Sequence, residues 1–194
     1  MGVVAGSCAV ALKEWATVLE AMARGEQLML IRKGGLLEPG GGFELRATSF
    51  IFYPTFEHQA VTYLRSPYQR YFEEAQRQRA PEGQVAISLF GEAVSSMPVR
   101  DAGVVERLRE FHIYNGTFLS QRLKWQPDQP LMLVVIRAFH FEAPRLLAVT
   151  PRYAGCKSWV DLESPVPLEG MRPVLEPSVF QQRLKEIDAL LSCS

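Results

Sequence analysis

Two short polar clusters in the first third of the chain carry side chains that could do chemistry. Each follows an apolar run bounded by glycine or proline, which is the pattern of a buried strand that ends in a turn. The clusters are Arg32-Lys33-Gly34 and Glu57-His58-Gln59. The guanidinium of Arg32 could hold a phosphate or a carboxylate through two parallel hydrogen bonds. Glu57 and His58 could serve as acid–base groups, because an ordinary imidazole titrates near neutral pH.

We expect the two apolar runs, residues 27–32 and 49–53, to be paired strands that place both clusters at one rim of a sheet. A third group, residues 153–159, forms a compact turn between aromatic side chains that would suit a pocket wall. There Lys157 adds a cation, and Trp159 adds a ring on which a base could stack. The predicted ligand-binding residues, expected to share one concave surface, are Arg32, Lys33, Gly34, Glu57, His58, Gln59, Lys157 and Trp159.

Established cofactor and catalytic motifs have no match in the sequence. The glycines at 34–35 and 40–42 lack the spacing of a phosphate-binding loop, so a flexible turn is the simpler interpretation. The alternative is that their backbone N–H groups line a ligand. The histidines at 58, 112 and 140 lack metal-site spacing, and no hydrolase nucleophile motif is present. The sequence therefore predicts no metal and no cofactor, and favours a binding protein over an enzyme.

The composition is that of an ordinary soluble protein. Of 194 residues, 47% are hydrophobic and 22% are charged, and the 21 basic side chains are balanced by 21 acidic ones. A chain without net charge has no global field that would draw it to nucleic acid or to an anionic membrane. The three cysteines are few and widely spaced, as in reduced cytoplasmic proteins. With no signal peptide and no membrane-spanning run in view, we expect a cytoplasmic protein without a membrane partner.

Irregular spacing of strands and helices indicates a single α+β domain, flanked by helices, rather than a regularly alternating α/β fold. Residues 131–141 are the longest apolar run and should be the central strand of a curved mixed sheet, because burial on both faces removes polar alternation. We expect residues 1–165 to form the domain. Residues 166–194 should form a proline-rich linker and a C-terminal helix that packs on the outside.

Capping residues and apolar periodicity predict the helices. Apolar side chains at helical spacing predict a first helix from Ser7 to Gly25. Asp101 and Asn115 each precede an apolar segment and are predicted N-caps, as is Ser178 for the last helix.

Four separated motifs resemble a known family. They are Leu12-Lys13-Glu14-Trp15, Leu30-Ile31-Arg32-Lys33-Gly34-Gly35, Phe52-Tyr53-Pro54-Thr55-Phe56-Glu57-His58-Gln59 and Tyr153-Ala154-Gly155-Cys156-Lys157-Ser158-Trp159. Over residues 10–163 the chain is similar to the bacterial domain-of-unknown-function family numbered 1802. That family has no established activity, and the fusion of some members to restriction-endonuclease-like domains implies a place near DNA restriction.

A second resemblance concerns architecture. A helix, a glycine turn and a strand that ends in Arg32 are similar to the opening of PUA-like domains of the ASCH and EVE kind. This resemblance implies a small pseudo-barrel with a cleft for a nucleotide or a modified base.

The leading hypothesis is therefore a small binding module for a nucleotide, a modified base or a short nucleic acid, linked to DNA restriction. Two alternatives stay open. One is a hydrolase that uses Glu57 and His58. The other is a protein-interaction domain that docks a partner through its apolar C-terminal helix.

Overall fold

Seven strands and five α-helices make up the parts of the chain that the computed structural model describes, residues 6–33 and 42–192. The strands are β1 Ser7–Trp15, β2 Met29–Arg32, β3 Ser49–Thr55, β4 Gln84–Val99, β5 Leu131–Ala148, β6 Trp159–Pro167 and β7 Arg172–Pro173. The helices are α1 Ala16–Ala23, α2 Arg70–Arg77, α3 Ala102–Arg107, α4 Gly116–Lys124 and α5 Pro177–Ser192.

The strands form one open, mixed sheet in the order β2-β5-β4-β3-β1-β6, and β7 pairs with β5 beside this path. β1 and β3 run parallel, whereas the other pairs among the described strands are antiparallel. The register of β4 against β5 shifts between Ile87 and Leu89 and again between Ala93 and Ser95. Such bulges bend a strand and increase its twist. The predicted α+β fold with a curved mixed sheet is confirmed.

The predicted central strand is found in β5. This strand includes residues 131–141 and lies between β2 and β4. Leu131, Val134 and Phe139 are among its many buried side chains, which point to both faces of the sheet. Burial on both faces explains why apolar residues follow one another without polar alternation.

Residues 7–15 form a strand, so the predicted helix from Ser7 to Gly25 is wrong over this part. β1 pairs with β3 on one side and with β6 on the other. Ala11 and Leu12 point to opposite faces and are both fully buried. An interior strand of this kind is apolar on both faces, and its apolar residues also fit a helical spacing. The helix itself, α1, begins at Ala16 and ends before Gly25, whose φ of 73° suits glycine.

The two apolar runs beside the glycine clusters are strands, but they are not partners. β2 pairs with β5, whereas β3 pairs with β1 and β4. The expected pairing of residues 27–32 with 49–53 is therefore wrong. The connection between the two strands is longer than a hairpin turn, so turn geometry cannot bring them together.

The two faces of the sheet carry different apolar clusters. Ala11 and Tyr53 belong to a cluster on one face, and Leu12 and Phe52 belong to a cluster on the other. Because neighbouring residues of a strand point in opposite directions, these assignments define which face any residue of β1 or β3 occupies.

The C-terminal helix packs against a third apolar cluster, which is built around α3 and α4. Phe180 and Ile187 of α5 are buried in this cluster. Arg183 donates a hydrogen bond to the carbonyl oxygen of Glu110 at 2.9 Å, and its guanidinium lies 4.4 Å from the ring centre of Phe111. The partner-docking role of this helix stays a prediction.

None of the helices in the described ranges combines the length and the apolar content needed to cross a bilayer.

Gly91 lies where the sheet leaves no room for a side chain. A Cβ atom on this residue would stand 2.6 Å and 3.0 Å from two ring carbons of Phe52, which is fully buried. Because a buried ring cannot withdraw freely, Gly91→Ala is expected to lower the free energy of unfolding by about 1–3 kcal/mol. Urea unfolding would measure this change.

The matched control is Gly116→Ala at the start of α4, where an added Cβ atom meets no heavy atom within 4 Å. This variant should keep the stability of the unaltered protein. Equal stabilities for the two variants would show that the sheet around Gly91 adjusts without strain.

Candidate functional site

A groove opens where the sheet forks between β3 and β4. The two strands pair only at Ser49, Phe50 and Ile51, which face Glu92, Gly91 and Phe90. Beyond this point β3 continues beside β1, and the space between β3 and β4 becomes a groove of about 1190 Å³. Its walls are the diverging ends of these two strands, helices α1 and α2, and the turn at residues 153–155.

Lys13 of β1 contributes a cation to this groove. Its Nζ donates a hydrogen bond to the carbonyl oxygen of Gly155 at 3.0 Å and lies 5.9 Å from the ring centre of Tyr53. Burial, followed by the charge of Lys157, lowers the pKa of Lys13, while the carboxylate of Glu57 acts in the opposite direction. An anionic ligand at this end of the groove would therefore stabilise the charged ammonium.

Aromatic rings accompany the groove cations. Tyr53 and Tyr153 meet edge to face with centroids 5.9 Å apart, and both line the groove. The guanidinium of Arg79 lies 4.7 Å from the ring centre of Phe56. Burial raises the pKa of Tyr53, so its hydroxyl stays neutral at physiological pH. Rings beside cations are the combination that holds a base together with its phosphate.

The groove is not uniformly basic. Its described lining residues include the cations Lys13, Arg24 and Arg79 and the carboxylates Glu20, Glu57 and Glu82. Arg24 is already held in ion pairs with Glu20 and Glu74. Lys13 and Arg79 are therefore the cations that the groove can offer to a ligand.

Arg32 lies on the other face of the sheet from the Lys13 side chain. Its Nη1 donates to Oε2 of Glu14 at 3.0 Å and to the carbonyl oxygen of Lys13 at 3.2 Å. Its Nη2 donates to the hydroxyl of Ser158 at 2.8 Å. Lys13 and Glu14 are successive residues of β1, so their side chains point to opposite faces of the sheet. Arg32 contacts the Glu14 carboxylate and therefore lies on the Glu14 face. Both terminal nitrogens of Arg32 are therefore engaged within the protein.

Lys33 is 3% exposed and is directed towards α4 rather than towards the groove. Its Nζ donates to the carbonyl oxygen of Leu123 at 3.0 Å, where the last carbonyls of a helix lack intrahelical partners. Burial, and then the nearby Arg100 and Arg122, lower the pKa of Lys33. Gly34 lies outside the described residues.

The Glu57-His58-Gln59 cluster is divided in its contacts. Glu57 is exposed and lines the groove, whereas exposed His58, with a φ of 61°, is not among the lining residues. Oε1 of Gln59 accepts hydrogen bonds from the N–H and the hydroxyl of Thr17 in the first turn of α1, at 3.2 Å and 2.9 Å. A hydrolase role for Glu57 and His58 stays a prediction.

Lys157 and Trp159 also make contacts within the protein. Nζ of Lys157 donates to the carbonyl oxygen of Arg152. The indole N–H of Trp159 donates to the carbonyl oxygen of Glu44 at 2.9 Å, and its ring stacks on Phe43 with centroids 6.1 Å apart. Trp159 is thus half-buried against the apolar cluster of Leu12, on the face that Arg32 shares.

Within residues 6–33 and 42–192, no group of three or more His, Cys, Asp and Glu side chains is placed to hold a metal ion.

A family model described as "Domain of unknown function (DUF1802)" matches residues 11–186. The chain belongs to the DUF1802 family. The family predicted from the four sequence motifs is confirmed, and the match extends beyond those motifs into α5.

One solved structure similar to this DUF1802 chain is the crystal structure of a serine-to-alanine mutant of ZmASCH from Zymomonas mobilis. The two chains are 11% identical, the alignment covers 91% of this chain and 94% of that one, and the TM-score is 0.40. No curated protein matches the chain.

In this DUF1802 chain the predicted site residues are spread over two faces of the sheet. Glu57 lines the groove, and the charge of Lys157 acts on the groove lysine. Arg32 and Trp159 lie together on the other face, and Lys33 points to α4. Their ligand-binding roles stay predictions.

Three groove residues were missed as ligand contacts although they lie inside the DUF1802 motifs: Lys13, Tyr53 and Tyr153. Lys13 was hidden by the helical interpretation of residues 7–15. In a strand, successive side chains point to opposite faces, so the side chain of Lys13 lies on the face opposite to those of Leu12 and Glu14. Arg79 follows α2, and no sequence motif marks it.

Proposed function

We propose that the protein is a binding module for a nucleotide, a modified base or a short nucleic acid, and that the groove between β3 and β4 is its ligand site. The observation that carries this proposal is the joint placement of Lys13 and Arg79 with the half-buried ring of Phe56 along one concave surface, whose wall includes the buried Tyr53 and Tyr153. Cations can pair with phosphates while rings stack on bases.

The size of the groove supports a ligand larger than a single small molecule. Pockets for drug-sized ligands measure roughly 300–1,000 Å³. The groove, at about 1190 Å³, exceeds that range and is continuous along both strands of the fork. A nucleotide with one or more neighbours would fill it better than an isolated base.

The charges of the groove favour binding through few phosphates. Among the described lining residues, Lys13 and Arg79 are the Lys and Arg side chains that are not held in ion pairs, and the chain has no net charge. For single strands, the logarithm of the binding constant falls with the logarithm of salt by about 0.7 per phosphate contact. Two contacts therefore predict a slope of about 1.4, far below that of proteins that bind DNA through a broad basic surface.

Arg79→Ala is expected to weaken the binding of a fluorescein-labelled oligonucleotide by about 10- to 150-fold, because a charge-assisted contact to phosphate contributes about 1.5–3 kcal/mol. Fluorescence anisotropy at two salt concentrations, with a mixed-sequence strand as probe, measures the change. The matched control is Arg77→Ala, which removes an exposed arginine two residues away that does not line the groove.

An equal loss of oligonucleotide affinity in the Arg77 and Arg79 variants would indicate that the oligonucleotide binds outside the groove. No binding by the unaltered protein to DNA, RNA or nucleotides would overturn the proposal. A link to DNA restriction stays a prediction from the family resemblance.

A further inference from the structure

The groove wall formed by β4 is an unpaired strand edge. β4 pairs with β5 on one side, starting at Gln84, but on the other side β3 reaches it only from Phe90 onwards. Residues 84–89 therefore have no strand partner on the β3 side within the described ranges. Several of them, including Gln84, Ala86 and Ser88, line the groove.

The register of the β4–β5 pair determines which backbone groups face the groove. The N–H of Val149 donates to the carbonyl oxygen of Gly83 at 2.9 Å, so this position is hydrogen-bonded across the two strands. In an antiparallel pair, hydrogen-bonded and non-hydrogen-bonded positions alternate. From Gln84 to Ile87 the register continues without a shift. Val85 and Ile87 therefore bond to β5, whereas Ala86 directs both its N–H and its C=O away from β5.

Ala86 thus presents a donor and an acceptor side by side on the groove side of β4. Unpaired backbone groups of this kind need a partner, either water or a ligand. Every nucleobase carries a donor beside an acceptor on an edge that is free in single strands and occupied in a duplex. A base edge against Ala86 would lie in the same groove as Lys13 and Arg79, which can take the phosphates.

We propose that the backbone of Ala86 reads the hydrogen-bonding edge of an unpaired base, so that the ligand class is single-stranded nucleic acid. This inference rests on the proposed function of the groove. It adds recognition of the base itself, because cations pair with any phosphate and stacking accepts any base.

The first test compares three labelled probes of the same sequence, a DNA strand, an RNA strand and the DNA duplex, by anisotropy at one salt concentration. The single strands are expected to bind at least about 10-fold more tightly than the duplex, because base readout on this edge needs unpaired bases. Equal affinity for the duplex overturns the inference while leaving nucleic-acid binding intact.

The second test removes the N–H of Ala86. Ala86→Pro deletes a donor that is not part of the β4–β5 ladder, and proline is tolerated at a strand edge for this reason. The variant is expected to bind the single strand about 10-fold more weakly. Arg77→Ala, which alters no residue of the groove, should bind as the unaltered protein does.

Amide hydrogen exchange gives a readout that needs no substitution and covers the case in which the proline variant does not fold. Exchange of the Ala86 amide should slow when the single strand is added. An unchanged exchange rate at saturating nucleic acid, or equal affinity of a folded Ala86→Pro variant and the unaltered protein, overturns the inference.

The results separate the two proposals. Loss of binding in the Arg79 variant with no effect at Ala86 supports the groove and rejects base readout by β4. A third outcome is that the protein binds extended peptides but no nucleic acid, and that Ala86→Pro abolishes peptide binding. This outcome would reject both proposals and would show that the β4 edge binds a peptide by β-strand addition.

Discussion

Arg32→Met is expected to destabilise the fold by about 3–5 kcal/mol, because it leaves the carboxylate of Glu14 buried without its charge partner. The Glu14 side chain is 5% exposed and that of Arg32 is 18% exposed. The same guanidinium also bonds the hydroxyl of Ser158 and so connects β2 to the beginning of β6. Urea unfolding followed by circular dichroism would measure the loss.

The matched control is the ion pair between Arg46 and Asp161, whose side chains are 48% and 59% exposed. Solvent screens such a pair, so Arg46→Met should change stability by at most about 1 kcal/mol. The double variant Glu14→Leu with Arg32→Met should recover much of the loss, since neither charge of this pair then remains. A loss below about 1 kcal/mol in Arg32→Met would show that water reaches Glu14.

This result bears on how Arg32 is tested as a ligand contact. Weak nucleic-acid binding by an Arg32 variant is informative only if the variant is folded. A loss of affinity that the stabilised double variant shares would point to a direct contact. Recovery of affinity together with stability would identify Arg32 as a structural residue.

His112 should make the protein less stable by about 3 kcal/mol as the pH falls from 7 to 4. The imidazole is fully buried, and burial lowers its pKa from 6.5 to about 4. Its Nδ1 accepts a hydrogen bond from the N–H of Tyr114 at 3.2 Å, so Nε2 carries the proton and donates to the carbonyl oxygen of Val105 at 3.1 Å. The folded state therefore holds a neutral ring that the unfolded state protonates.

The sign follows from proton uptake. Between pH 6.5 and 4 the unfolded chain binds one proton that the folded chain does not, so unfolding is favoured as the pH falls. The contribution of neutral His112 to the free energy of unfolding is fully present above pH 6.5. It is lost progressively down to about pH 4, at about 1.4 kcal/mol per pH unit.

Urea unfolding of the unaltered protein and of His112→Asn at several pH values isolates this group, because other titrating groups contribute to both proteins. The variant should be less stable at pH 7 but should lose less on acidification. An NMR titration of the His112 ring that gives a pKa near 6.5 in the folded protein would contradict the prediction.

Local sequence rules predicted several boundaries correctly. The carboxylate of Asp101 accepts from the N–H of Gly103 at 2.8 Å, and the side chain of Asn115 accepts from the N–H of Phe118 at 3.1 Å. Both caps depend only on residues within the first turn of a helix, which is why a short window of sequence suffices. The continuous apolar run of β5 likewise lies within a short window of sequence, and it predicts a strand that is buried on both faces.

Strand partners and the groove could not be predicted in this way. The apolar residues of β1 fit the spacing of a helix as well as that of a buried strand, so the sequence alone favoured a helix. Only the pairing of β1 with β3 and β6 decides for the strand. The groove exists because β3 leaves β4 after Ile51, an event that involves residues distant in the sequence. Lys13 and Arg79 meet at this groove from separate elements, so no motif could join them.

The position of β1 has a consequence for how the chain folds during synthesis. β1 leaves the ribosome before the other described strands, yet its neighbour β6 ends at Pro167, and β6 pairs with no other described strand. One edge of β1 therefore stays open until β6 has been made, which takes on the order of ten seconds or more at about 5–20 residues per second. A nascent chain arrested before residue 159 should expose this edge to chaperones, whereas one extended past α5 should bury it.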